Sequence, residues 1–170
     1  MEITEVDKLL ISILIAPQRN DESWNKMADY FGRLVEAAEE TLIIEWPSIQ
    51  ITKPMPYIQM RKDSFNIYLE ALSDFYGQNN LPADSCNSIL ELGWMEPAPE
   101  NEECRNFYIE FDGPNYDYKS IGQLMAKTFR YGYACTLRKK FEVGPIELAE
   151  QVKFVTLSDE EDDHTQNEGE

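Results

Sequence analysis

Residues 89–97 read Ile-Leu-Glu-Leu-Gly-Trp-Met-Glu-Pro. An apolar run stops at Gly93, a tryptophan follows at once, and Pro97 and Pro99 then carry the chain away. Glycine just past a helix is the residue that adopts the left-handed conformation closing a last turn. A hydrophobic residue beyond it folds back onto that turn. Trp94 is therefore expected to be buried, pinning the end of a helix over about residues 83–92, with Asp84 as a candidate cap. Proline disfavours helix for the residue before it, so an extended exit is expected.

Downstream, Asn106–Asp112 alternates Phe107, Ile109 and Phe111 against Tyr108, Glu110 and Asp112, a period-two strand. Asp117 is placed to cap a helix over about 118–131 that uses Ile121, Leu124, Met125 and Thr128 and ends at Gly132. Residues 135–143 read as a last strand, and a short helix opens after Pro145. Upstream, Trp24, Met27, Ala28, Phe31, Leu34, Val35 and Ala38 follow helical spacing, with Asn20 or Ser23 as cap. Three strand-like runs follow at 41–46, 57–61 and 65–72, and the brief link after Arg61 makes a hairpin of the last two. Residues 3–16 are apolar apart from one charged pair; helical spacing is preferred there, although their β-branched content also fits a strand. The order is (α)αβββαβαβα. It predicts an α+β fold in which an antiparallel sheet of about five strands carries helices on one face.

This order, with Leu92, Gly93, Trp94 and Pro97, then the aromatic strand, then Thr128, Phe129 and Arg130 before Tyr131 and Gly132, resembles the TY-Chap group. Those are Tir-chaperone-like small domains of actinobacteria, related in fold to type III secretion chaperones and YbjN-like proteins. The likeness runs over about residues 81–133. It departs where Met95 and Glu96 separate the tryptophan from the first proline, and where the strand lacks the family's tryptophan pair. It implies a type III secretion chaperone-like fold, a protein-binding habit and a homodimer, and it implies no reaction.

Composition supports one folded unit. A chain of 170 residues buries about 70% of its unfolded surface, and residues 1–157 read as one α+β domain. Residues 158–170 are acidic, lack large apolar residues and are expected to be disordered. Without the seven acids of 159–170, 25 acids still face 15 bases, a net of −10. Such a field repels nucleic acid and anionic membrane and favours a basic protein partner. Cys86, Cys104 and Cys135 are odd in number and form no CxxC pair, which fits reduced thiols in the cytoplasm, with one disulfide between two of them as the alternative. The first eight residues hold three acids and one base, the reverse of a secretory leader.

The one histidine, His164, sits in the acidic tail. Histidine triads and His/Cys metal sets therefore have no material in the domain, and no glycine-rich phosphate loop occurs. No cofactor is expected, and the chain reads as a non-catalytic binding module. Two other classes fit the acidity. One is a carboxylate-only, Mg2+-dependent hydrolase using Glu45, Glu70, Glu110 and Asp112; the other is an acidic nucleic-acid mimic that occupies a DNA-binding protein.

Parity then selects a face. If Leu42, Ile44, Trp46, Ile58, Met60, Phe65, Ile67, Phe107, Ile109 and Phe111 meet the helices, the opposite face carries Ile43, Glu45, Tyr57, Gln59, Arg61, Asn66, Tyr68, Glu70, Tyr108 and Glu110. Arg138 and Lys140 would join it from the last strand. Tyrosine and arginine are enriched at interface hot spots. The candidate protein-binding residues are accordingly Tyr57, Arg61, Tyr68 and Tyr108, for a client or a second copy. Cross-strand tyrosine packing that merely steadies the sheet is the plainer reading of the same residues.

Overall fold

The helix laid down by the Trp24–Ala38 stripe is α1 (Asn20–Ala37). Its apolar face is buried from Trp24 to Ala38, with Phe31, Leu34 and Val35 fully enclosed. Ser23, considered as a cap, lies buried in the first turn instead. The computed structural model describes residues 9–11, 20–46, 55–74, 80–98, 105–137 and 141–152. The acidic segment 158–170, Cys104, His164, Arg138 and Lys140 lie outside the described residues.

The first strand, β1 (Leu9–Ile11), corrects the helical reading at its only described residues. Pairing decides the outcome: β1 lies antiparallel to β6 (Phe141–Gly144), Leu9 opposite Val143 and Ile11 opposite Phe141. A run of leucine and isoleucine fits either period, and an open strand edge settles it. The remaining strands are β2 (Thr41–Glu45), β3 (Tyr57–Lys62), β4 (Asn66–Ala71) and β5 (Phe107–Asp112). They form one antiparallel sheet in the order β1-β6-β2-β3-β4-β5, with six strands where about five were expected, the addition being β1. The α+β class and the helix-covered sheet stand.

Alternation works as expected along β2, β3 and β4. Leu42, Ile44, Ile58, Met60, Ile67 and Leu69 are fully buried, and their sequence neighbours on the other face are mostly half-exposed. Phe65 is the exception. It is 75% exposed, because β4 begins one residue later. Phe65 sits in the turn, where the Asp63 carboxylate accepts from the backbone N–H of Phe65 and Asn66 at 2.7 and 2.8 Å. Those two bonds hold the Asp63 carboxyl below its usual range.

Helix α2 (Ala83–Glu91) has Pro82 at its cap position, and Asp84 lies within the first turn rather than capping it. Helix α3 (Tyr118–Lys127) is capped by Asp117, which accepts from Ser120 N at 3.0 Å. It runs on into a π turn at Thr128–Gly132. A short α4 (Ile146–Gln151) follows β6.

Two glycines bring α1 and α3 backbone to backbone. A Cβ at Gly32 would come within 2.6 Å of Tyr118 O, and one at Gly122 would overlap the Ala28 carbonyl oxygen. The core is aromatic where this pair meets the sheet. Phe141 of β6 takes Phe129 and Phe31 edge-on at 4.9 and 5.5 Å. Lys62 of β3 closes the far end of α1, donating to Val35 O and Glu36 O at 3.3 and 3.2 Å. The last turn of α1 has no basic residue of its own, so this cation satisfies its free carbonyls and its dipole.

Trp94 is 3% exposed, and its indole N–H donates to Thr128 Oγ1 at 2.9 Å. Gly93 has φ +103°, as the helix end demands. The tryptophan thus joins α2 to the π turn, where Ile89 of α2 also packs against Gly132.

Candidate protein-binding face

The face of the sheet turned away from the helices is assembled by register. Arg61 of β3 lies directly opposite Tyr68 of β4, and Tyr68 opposite Glu110 of β5. Gln59, Glu70 and Tyr108 form the adjacent row. Side chains on one face are thus neighbours across strands about 4.8 Å apart.

Three of the four expected binding residues come together. The Tyr68 and Tyr108 rings stack, with centroids 6.1 Å apart and planes 22° from parallel. The Arg61 guanidinium lies over the Tyr68 ring at 5.0 Å and reaches Glu70 at 3.6 Å. Arg61 is exposed, and both tyrosines are half-buried. The result is a continuous Arg–Tyr–Tyr platform across β3, β4 and β5.

Tyr57, the fourth, belongs to the end of the sheet. Its hydroxyl accepts from Asn106 Nδ2 at 2.9 Å, and its ring packs against the core. Burial pushes its phenol up; the Asn106 bond opposes this, and Glu70 and Glu45 add to it. Nearby, Ser73 Oγ donates to Arg105 O at 2.6 Å, so Tyr57 steadies the entry to β5.

Carboxylates frame the platform. Glu70 meets Arg61, and Glu110 accepts from Asn66 Nδ2 at 2.9 Å. Glu110 and Asp112 are exposed, while Glu45 is buried on β2 opposite Tyr57. The four acids weighed for a hydrolase are thus dispersed over three strands, with Gln59, Tyr68 and Arg61 among them. No group of three His, Cys, Asp or Glu that could hold a metal ion occurs among the described residues. Cys86 and Cys135 are in no disulfide, and burial, then Asp74, pushes the Cys86 thiol up.

Sequence reasoning missed one neighbour of the platform. Met95 pairs with Tyr108 at the outer edge of the sheet, its N–H donating to Tyr108 O at 2.9 Å, and its side chain is 54% exposed. The signal lay in the proline-bounded segment after Trp94, where an extended backbone was expected but no partner was assigned.

An antiparallel sheet roofed by helices on one face is the type III secretion chaperone-like fold. The chain belongs to the TY-Chap3 family, described as "T3SS (YopN, CesT) and YbjN peptide-binding chaperone 3", whose family model matches residues 17–141. That match runs from just before α1 to the first residue of β6, well beyond the Gly-Trp segment and the strand and helix after it. No curated protein and no solved structure matches the chain. Among the described residues no helix is long and apolar enough to cross a membrane.

Proposed function

We propose that the chain is a non-catalytic, cytoplasmic peptide-binding chaperone that holds a basic, aromatic-bearing segment of a client protein on the outer face of its sheet. The observation that carries this is the Arg61–Tyr68–Tyr108 platform with its frame of carboxylates. Stacked tyrosines offer large area at low entropic cost and take cations on their faces. Glu70, Glu110 and Asp112 supply charge for lysine or arginine of the client. The family's description as peptide-binding chaperones supports the same reading. Self-association into a homodimer is part of it and rests on the family resemblance.

The test is fluorescence anisotropy with labelled peptides that alternate phenylalanine with lysine, on wild type and on a Tyr68→Ala, Tyr108→Ala double variant. Wild type should bind saturably. The double variant should bind about tenfold to a hundredfold more weakly, as loss of hot-spot aromatics does, with unchanged far-ultraviolet circular dichroism. Undiminished binding would sink the assignment, and so would unfolding of the double variant, which would make these rings structural.

A further inference from the structure

On the helical side of the molecule, α1 and α3 run antiparallel, Gly32 against Tyr118 and Gly122 against Ala28. Toward the start of α1 and the end of α3 lies a slot of about 270 Å³. Ala28, Ala126 and Trp24, all buried, form its floor, and Lys127, Arg130 and Tyr131 stand at its rim. Arg130 is built in. It meets Asp21 at 2.5 Å and lies over the Trp24 ring at 5.9 Å and the Tyr131 ring at 5.0 Å. Tyr131 is 55% exposed. Lys127 is exposed and has no carboxylate partner among the described residues.

We propose that this slot is a second binding site, for an acidic peptide segment of a partner protein that lays one apolar side chain against Tyr131, above the Trp24 floor, and sets a carboxylate on Lys127. Three observations converge. Tyrosine and arginine are over-represented at binding hot spots, and the rim holds one of each, with Tyr131 exposed. Its volume lies just below the range of about 300–1,000 Å³ typical of small-molecule sites, which suits a single side chain. Its lining holds two cations and no carboxylate on a body whose net is −10 without residues 159–170, so an acidic segment finds local attraction here and none at the sheet face. Arg130, already satisfied by Asp21, positions the aromatic walls, and Lys127 supplies the charge that the ligand uses. The site stands apart from the sheet platform and does not depend on it.

The experiment is a titration of the full-length protein followed by amide and indole nuclear magnetic resonance, using a peptide that alternates phenylalanine with aspartate. Saturable shifts are expected at the Trp24 indole and at Asn25, Gln123 and Lys127, without shifts at Tyr68 and Tyr108. The phenylalanine–lysine peptide should leave the slot signals in place. Lys127→Glu and, separately, Tyr131→Ala should each weaken the acidic peptide about tenfold or more, and Lys127→Arg should restore most of the binding. The spectra themselves report whether each variant is folded. Shifts confined to the sheet, or affinity untouched by Lys127→Glu in a folded variant, would overturn the proposal. So would slot signals that move with protein concentration in the absence of peptide, since the occupant would then be a second copy. A slot that responds only after the acids of 159–170 are replaced by amides would make that segment the occupant and overturn it equally.

Discussion

At the scale of single residues, Gly93 and Trp94 answer different constraints and can be separated. A Cβ at Gly93 would meet nothing within 4 Å, so space does not require glycine there. Its φ of +103° does. Gly93→Ala should therefore cost about 1–2 kcal/mol through backbone strain alone, read from denaturant unfolding, with no change in packing. Trp94→Ala removes a fully packed ring and leaves Thr128 Oγ1 without the indole donor. It should cost about 3–5 kcal/mol. Thr128→Val, which keeps the ring and orphans its N–H, should cost about 1–3 kcal/mol. If Trp94→Ala proves as mild as Gly93→Ala, the ring does not hold α2 to the π turn. These two positions were legible beforehand because a glycine before a tryptophan at a helix end has a local cause. The partner Thr128 was not, since 34 residues separate the two in sequence and only the fold brings them together.

Among the elements, the helices α1, α2 and α3 and the β3–β4 hairpin follow from period and turn chemistry. The misreadings have a common physical origin. Residues 9–11 become a strand because β6 offers an edge, and Phe65 leaves the core because Asp63 fixes where β4 begins. Neither the edge nor the onset of pairing is encoded in the alternating segment itself. The α1–α3 crossing is also silent in sequence, for glycine inside a helix ordinarily signals weakness rather than close approach. Its consequence is testable. Gly122→Ala places a methyl group on the Ala28 carbonyl oxygen, so the helices must separate. The higher helix propensity of alanine, worth about 1 kcal/mol, should be outweighed by the overpacking penalty of about 1–3 kcal/mol or more. Net destabilisation in chemical denaturation is expected; a stabilised variant would show that α1 and α3 do not touch there. Of the platform, parity identified Arg61, Tyr68 and Tyr108 correctly as co-facial neighbours. Tyr57 shares their parity, but its ring is drawn to the end of the sheet by Asn106, a residue outside any strand.

For the molecule as a whole, titration and salt act on different parts. Burial raises the Tyr30 phenol to about 12, with Arg33 pulling the other way, and burial also raises Tyr57 and Tyr133. An exposed tyrosine ionises near ~10, so above that pH the unfolded chain gives up protons that the folded chain keeps. Stability should thus be intact below about pH 10 and fall as pH climbs from there toward 12. Melting temperatures of Tyr30→Phe should decline less steeply over that window than those of wild type; parallel curves would remove Tyr30 as a cause. Salt, by contrast, should report on the two faces. The formal charge of −17 is unevenly placed, with Glu70, Glu110 and Asp112 around the sheet platform and Lys127 and Arg130 at the helical slot. Screening shortens the reach of exposed charge to about 10 Å at 0.1 M and about 3 Å at 1 M salt. A basic peptide approaches the platform with both the local carboxylates and the global field in its favour. An acidic peptide reaches the slot with Lys127 in its favour and the global field against it. Raising salt from about 0.05 to 0.5 M should therefore slow association of the phenylalanine–lysine peptide strongly, because electrostatic steering acts mainly on the on-rate. The phenylalanine–aspartate peptide should change far less, as its attraction and repulsion are screened together. Stopped-flow measurement of both on-rates checks this directly. Equal salt slopes for the two peptides would mean that both meet the same surface, and the assignment of opposite chemistries to the two faces would fall.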